Sequence, residues 1–341
     1  MNNKGIIIAC ALMAILGVAL IEDYYLSPGQ QTVPGATAST STTQSSNSTD
    51  YLANFGLRSS NVPVGQGPYG AAYDPANQRT YVAVSGASSI AVVDSESRVV
   101  GEVALGGAAD FVAYDASNSL VYAALVGSNS VALINTTTDS VASSVSVPTS
   151  TGWMAYDPVS GTIYSVDREG NSVSVLANST LVKTIALTGL PFAAAYDPAD
   201  GEMYVTNNAG AVFVIDGATN SLVGTVQVGD ATSNLLGIAY NPSDHMMYAT
   251  SDSDNEVLMV NGSSLAGTIS GFNEPIGISF STTSPEMFVV NSGNGTLSAY
   301  WQGSFSTVKV GTSPREAVYN PALGAVVVTD YGNSTLSLVG A

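Results

Sequence analysis

An aromatic residue followed by Asp or Asn, once by Ser, and then usually Pro recurs seven times in this chain: Tyr73-Asp74-Pro75, Tyr114-Asp115-Ala116, Tyr156-Asp157-Pro158, Tyr196-Asp197-Pro198, Tyr240-Asn241-Pro242, Phe280-Ser281-Thr282 and Tyr319-Asn320-Pro321. The intervals are 41, 42, 40, 44, 40 and 39 residues. Eight positions after each anchoring aromatic stands Tyr81, Tyr122, Tyr164, Tyr204, Tyr248, Phe288 or Val327. A period near 40 with a fixed internal offset specifies a stack of identical supersecondary units.

Each unit reads as four short strands. Small apolar residues before the anchor, as in Gly70-Ala71-Ala72, form strand A, and the Asp-Pro pair turns the chain. Strand B carries the second aromatic. Strand C alternates, as in Ile90-Ala91-Val92-Val93-Asp94, and strand D follows, as in Val99 to Leu105. Period, strand count and turn chemistry predict an all-β, seven-bladed β-propeller over residues 55–341. The seventh unit stops after its third strand, while Gly56 to Val64 resembles a lone strand D. An N-terminal strand is therefore expected to complete the last blade and remove its open edges. Units two and six lack the Asp-Pro pair, which predicts less regular turns there.

Among the second strands, Tyr204-Val205-Thr206-Asn207 and its variants Tyr81-Val82-Ala83-Val84, Tyr248-Ala249-Thr250-Ser251 and Phe288-Val289-Val290-Asn291 stand out. In these residues the chain from Gly56 to Ala341 resembles the YVTN family of β-propeller repeats, typical of archaeal surface proteins. The resemblance implies the fold and an exterior address; it says little about chemistry, because sites are grafted onto folds.

Composition narrows the function classes. Eight Lys and Arg against 26 Asp and Glu give a net charge of −18, which excludes electrostatic binding of nucleic acid. A single cysteine, Cys10, and a single histidine, His245, exclude a disulfide scaffold, Cys-rich zinc sites and most histidine chemistry. So low a fraction of charge, 10%, also suits an acidic exterior, where protonated carboxylates leave little self-repulsion.

Ahead of the repeats, residues 1–26 read as a signal peptide or a membrane-anchoring helix. Gly5 to Ile21 is free of charge, with Lys4 before it and Glu22-Asp23-Tyr24-Tyr25 after it, the pattern of an N-in anchor. Lys4-Gly5 also matches a class III, pilin-type signal. Residues 27–54 form a flexible stalk, with 12 Ser or Thr between Ser27 and Asp50. Six Asn-x-Ser/Thr sequons, at Asn47, Asn135, Asn178, Asn261, Asn294 and Asn333, fall in the stalk or at predicted turns. The chain topology sends the stalk away from the face bearing the D-A and B-C loops, so that face is expected to look outward.

Position −4 from each anchor varies freely (Tyr69, Asp110, Gly152, Phe192, Leu236, Ile276, Arg315), whereas position −1 is Ala, Ala, Ala, Ala, Ala, Ser, Val. The variable column belongs at the outward mouth of the central channel. Tyr69, Asp110, Trp153, Phe192, Arg315 and Glu316 form the candidate binding cluster, rings with a few convergent charges. Asp252, Asp254 and Glu256 alternate in a B-C loop as weaker candidate Ca²⁺ ligands. His245 is expected at a surface turn, and Trp301 between blades. No cofactor is called for. The expected function is a non-enzymatic interaction or adhesion module at the cell surface, anchored in the cytoplasmic membrane, whose partner is a surface protein or glycan. The alternatives are a pilin-like filament subunit and a propeller lyase or hydrolase.

Overall fold

Seven four-stranded antiparallel sheets build the described part of the chain, residues 57–340 of the computed structural model. The expected anchor helix and stalk, with Cys10 and Asn47, lie outside the described residues. Blade 1 comprises Pro68–Asp74, Arg79–Val84, Ser89–Val93 and Val99–Ala104, and the next five blades repeat it in strict sequence order. In blade 7, Pro314–Asn320, Ala325–Asp330 and Thr335–Gly340 are followed on the outside by Arg58–Pro63, which pairs antiparallel with the third strand from Arg58↔Gly340 to Pro63↔Thr335. Strands A pack against one another around the centre. Apart from strands the described residues hold one 3-10 turn, Ser85–Ala87, and no helix long and apolar enough to cross a membrane.

The anchoring motif acts through the residue after its aromatic. At all seven positions that side chain is buried and its oxygen accepts the backbone N–H two residues on: Asp74 from Ala76, Asp115 from Ser117, Asp157 from Val159, Asp197 from Ala199, Asn241 from Ser243, Ser281 from Thr283 and Asn320 from Ala322. This is the Asx or hydroxyl turn, and it needs a short side chain bearing oxygen, not a proline. Units two and six therefore keep this hydrogen bond without the Asp-Pro pair. His245 occupies a left-handed turn position (φ 61°), and its Nδ1 lies 2.6 Å from the Tyr240 hydroxyl.

The Tyr-Val-Thr-Asn stretch of blade 4 distributes four tasks. Tyr204 is fully buried and its hydroxyl donates to Asp200 at 2.8 Å; Val205 enters the core. Thr206 Oγ1 donates to the Leu236 carbonyl of the next blade at 2.7 Å, and Asn207 Oδ1 accepts the N–H groups of Ala209 and Ala211 to shape the B-C turn. Thr250 repeats the bridge to Ile276, and Thr329 to Tyr69 across the junction of blades 7 and 1. Buried apolar side chains form seven clusters, each shared by two neighbouring blades, so the core is a ring of interblade layers. Trp301 packs into the layer between blades 6 and 7.

Candidate functional site

The mouth of the channel on the D-A/B-C face is built from three positions of the repeat. Position −4 supplies Tyr69, Asp110, Phe192 and Arg315, with Leu236 and Ile276 on the apolar side. Position −3 supplies Phe111, Trp153 and Glu316, but Gly70, Gly237 and Gly277 in blades 1, 5 and 6. Glycine is required there: a Cβ on Gly70 would stand 2.7 Å from the Asp110 carbonyl and 2.9 Å from Phe111 Cα, and one on Gly277 2.7 Å from the Arg315 carbonyl. The third position, just after strand B, supplies Ser85, Arg168 and Tyr331.

These side chains form a continuous aromatic arc across five blades. Ring centroids are separated by 6.0 Å from Tyr331 to Tyr69, 4.9 Å to Phe111, 4.8 Å to Trp153 and 6.2 Å to Phe192. An arginine caps each end. The Arg315 guanidinium carbon lies 5.3 Å from the Tyr331 centroid and 5.5 Å from that of Tyr69, and Arg168 lies 5.5 Å from that of Phe192, within cation–π range. Tyr69, Phe111 and Arg315 are buried and form the backing; Trp153, Phe192, Tyr331 and Arg168 keep partial exposure.

Two carboxyl groups stand beside the Arg315 end. Both keep partial exposure although protein surrounds them, as side chains on a narrow channel wall do. Burial pushes Asp110 up to about 6, against the opposing pull of the Ser85 hydroxyl and the Arg315 charge. Burial pushes Glu316 up to about 8, opposed by the Ala71 N–H that its Oε2 accepts at 2.7 Å. Gly70 lies between them: a Cβ at that position would stand 3.3 Å from Glu316 Oε2 as well as against the Asp110 backbone. At neutral pH one group is therefore mostly an anion and the other mostly an acid, the division of labour that acid–base chemistry needs.

Of the expected cluster, ring and cation contacts link Tyr69, Trp153, Phe192 and Arg315 through Phe111, Asp110 lies near Arg315, and Glu316 lies against Ala71. Phe111, Tyr331, Arg168 and Ser85 complete it. The acidic run of blade 5 does not converge in the same way: Asp254 accepts the Ser251 hydroxyl at 2.7 Å, Glu256 that of Ser270 at 2.7 Å, and burial raises Asp252. Among the described residues, no group of three or more His, Cys, Asp or Glu is placed to hold a metal ion. The sequons divide between faces. Asn135, Asn178 and Asn261 lie at C-D turns, Asn294 and Asn333 at B-C turns, and all but Asn135 are exposed. His245 lies in an A-B turn, on the face opposite the mouth.

Known structures carry the same architecture. Virginiamycin B lyase of Staphylococcus aureus superposes with a TM-score of 0.74 at 11% identity, covering 84% of this chain and 99% of its own. A streptogramin B lyase gives 0.73 at 13%, covering 83% and 97%, and hydrazine synthase of Kuenenia stuttgartiensis 0.71 at 14%, covering 81% and 96%. No family model and no curated protein sequence matches the chain. The chain is a seven-bladed β-propeller with propeller lyases among its structural neighbours.

Proposed function

We propose that the channel mouth is a small-molecule site with lyase-type chemistry. The observation that carries this reading is that two carboxyl residues border Gly70, Asp110 with Ser85 and Arg315 as its neighbours and Glu316 against the Ala71 N–H, and that burial raises both. Asp110 accepts a proton from carbon, Glu316 donates one to the departing group, and Arg315 balances negative charge that develops between them. The partly exposed rings hold the ligand. The architectural likeness to virginiamycin B and streptogramin B lyases supports the reaction class, not the substrate. A catalytically inactive histidine-to-alanine variant of the staphylococcal lyase has been crystallised with quinupristin. The sole histidine here lies on the far face, so proton transfer at this mouth falls to carboxylates. Turnover that follows pH with limbs near 6 and 8, and is lost in both Asp110→Asn and Glu316→Gln, is the expected result. Turnover retained in both variants would exclude this site.

A second reading, display as an interaction module at a cell surface, is favoured by the Ser/Thr-rich residues 27–54 and by where the chain enters the propeller. Arg58 pairs with Gly340, the last residue of strand C, so entry is on the C-D face, opposite the mouth. In this reading Arg58–Pro63 closes the ring, residues 1–26 hold the membrane, and the mouth faces outward in the manner of YVTN-type surface proteins. Maleimide labelling of Glu169→Cys and Thr138→Cys on intact cells tests it: faster labelling at 169 is expected, and faster labelling at 138 would reverse the orientation.

A further inference from the structure

Acidic residues are spread unevenly around the ring. Nineteen of the 26 fall between Asp74 and Glu256, in blades 1 to 5, and four between residues 257 and 341. Of these four, Glu286 and Asp330 are fully buried, Glu316 lies against the Ala71 N–H, and Glu274 belongs to a D-A loop. Among the described residues, the A-B/C-D rim of blades 6 and 7 therefore exposes no acid; its turns are residues 281–285, 302–303 and 321–324. The same rim carries Asp94 and Glu96 in blade 1, Asp139 in blade 2, Asp200, Glu202 and Asp216 in blade 4 and Asp244 in blade 5. The acid-free sector is also aromatic. Phe305, 41% exposed, lies 5.3 Å from Phe272 and 4.9 Å from Tyr300 between ring centroids, Trp301 keeps partial exposure, and Leu265 on the outer strand of blade 5 is exposed. Other blades expose aliphatic residues at this rim, but next to acidic turns, as Val99 and Val100 follow Asp94 and Glu96, and Val141 follows Asp139. Leu57, where the described chain begins, packs into the same interblade layer as Trp301. The chain that carries the uncharged run from Gly5 to Ile21 thus joins the propeller in this sector.

We propose that the A-B/C-D rim of blades 6 and 7 docks on the surface of a lipid bilayer, with Trp301 and Phe305 at the level of the headgroups. The inference rests on the surface-display reading and names the contact by which the module meets its membrane. Charge selects the sector: carboxylates on the rims of blades 1, 2, 4 and 5 are repelled by anionic headgroups and lose hydration against any headgroup. Neutral turns with half-buried rings suit the interface, where tryptophan and tyrosine settle. Arg58, exposed at the start of the outer strand of blade 7, adds a cation for lipid phosphate. With the Ser/Thr-rich residues 27–54 as a flexible tether, docking is an intramolecular event, so a patch of a few side chains suffices. The propeller then stands tilted, its acidic blades raised and the channel mouth opening away from the membrane.

The test places a fluorophore on single cysteines in the full chain, with Cys10→Ser as background, reconstituted in phosphatidylcholine vesicles that hold a headgroup-linked quencher. Thr282→Cys and Ala199→Cys mark the A-B turns of blades 6 and 4, and Glu169→Cys marks the mouth face; all three positions are exposed. The expected result is strong quenching at 282, weaker quenching at 199 and none at 169, with the signal at 282 lost when Phe305→Ser is added and circular dichroism shows the propeller still folded. Equal quenching at 282 and 199 overturns the docking sector and leaves the surface-display reading intact. No quenching at any position, in a chain that floats with the vesicles, likewise overturns docking alone, whereas a chain that does not float overturns the display reading itself. A dimer in detergent that Phe305→Ser dissolves, with no quenching in vesicles, would assign the sector to a second copy and overturn the proposal.

Discussion

The Glu316 carboxylate, on the inner strand of blade 7, accepts a hydrogen bond from the backbone N–H of Ala71, on the inner strand of blade 1, at 2.7 Å. Residues 245 positions apart are joined at the point where the ring of blades meets itself. The same carboxylate is the more strongly raised of the two acids at the mouth. Closure of the ring and the proposed proton transfer therefore share one side chain.

The sign of that coupling is fixed. Folding raises Glu316 from its usual 4.5 to about 8, so the native state holds the proton more tightly than the unfolded chain. The stabilisation is complete below about 4.5 and is lost as pH rises toward 8. Glu316→Gln keeps an oxygen for Ala71 N–H and removes the titration. Thermal melts are expected to show the variant near wild type at pH 5 and more stable than wild type at pH 9. A difference independent of pH would contradict the assignment.

Tolerance of acid follows from the same linkage applied over the whole propeller. Burial raises Asp110, Asp167, Asp197, Asp252 and Asp330, each of which favours the folded state as pH falls through its folded value. Asp94, Asp216 and Asp230 are lowered and act oppositely below about pH 4, but Asp230 is exposed and Asp94 and Asp216 are half-buried hairpin residues, so water screens their contribution. The melting temperature is expected to hold or rise from pH 7 to 4 and to survive at pH 2. Collapse between pH 5 and 2, followed by circular dichroism, would show that the exposed turns dominate.

Turn geometry makes a separate prediction. Asp157 accepts N–H groups of Val159 and Ser160 and the Ser160 hydroxyl, while Pro158 contributes only a restricted φ. Asp157→Ala is expected to destabilise by about 1–3 kcal/mol, because three part-buried turn hydrogen bonds lose their acceptor. Pro158→Ala is expected to cost less than about 1 kcal/mol. Urea titration of both variants measures the order, and the reverse order would refute the role of the side-chain oxygen.

Thr206 tests the interblade bridge. Thr206→Val keeps the shape and removes the donor to the Leu236 carbonyl, at a cost of about 1–2 kcal/mol. Blade 6 already carries Val290 at the same repeat position, so Val290→Thr is expected to be near neutral or stabilising. Equal melting of wild type and Thr206→Val would show the bridge to be incidental.

The propeller was legible because a turn residue and a buried aromatic recur at a fixed offset, and both are dictated by packing. The irregular turn expected at Ala116 did not materialise, since Asp115 supplies the oxygen that the turn uses; that of unit six did, for although Ser281 accepts the Thr283 N–H, strand pairing stops at Phe280↔Met287 and the turn has no left-handed residue. Six residues of the mouth were legible, Tyr69, Asp110, Phe192 and Arg315 in the freely varying column and Trp153 and Glu316 one position on. Phe111 was hidden in a column where glycine is forced by close approach, so its alternation between Gly and large side chains was the usable signal. Arg168 and Tyr331 were hidden in B-C loops. They share with Ser85 the position directly after strand B, and reading that column as a second rim would have found them. The raised carboxyls were not legible, because their burial arises only where strands of neighbouring blades meet.

The most direct test is a thermal-shift screen of anionic, ring-bearing compounds against wild type, Trp153→Leu, Arg315→Gln and Asp110→Asn. Compounds that raise the melting temperature of wild type are predicted to lose that effect in Trp153→Leu and Arg315→Gln, with Asp110→Asn retaining binding but no longer converting any compound that wild type transforms. Stabilisation of equal size in wild type and in both binding variants would place the functional site elsewhere on the propeller.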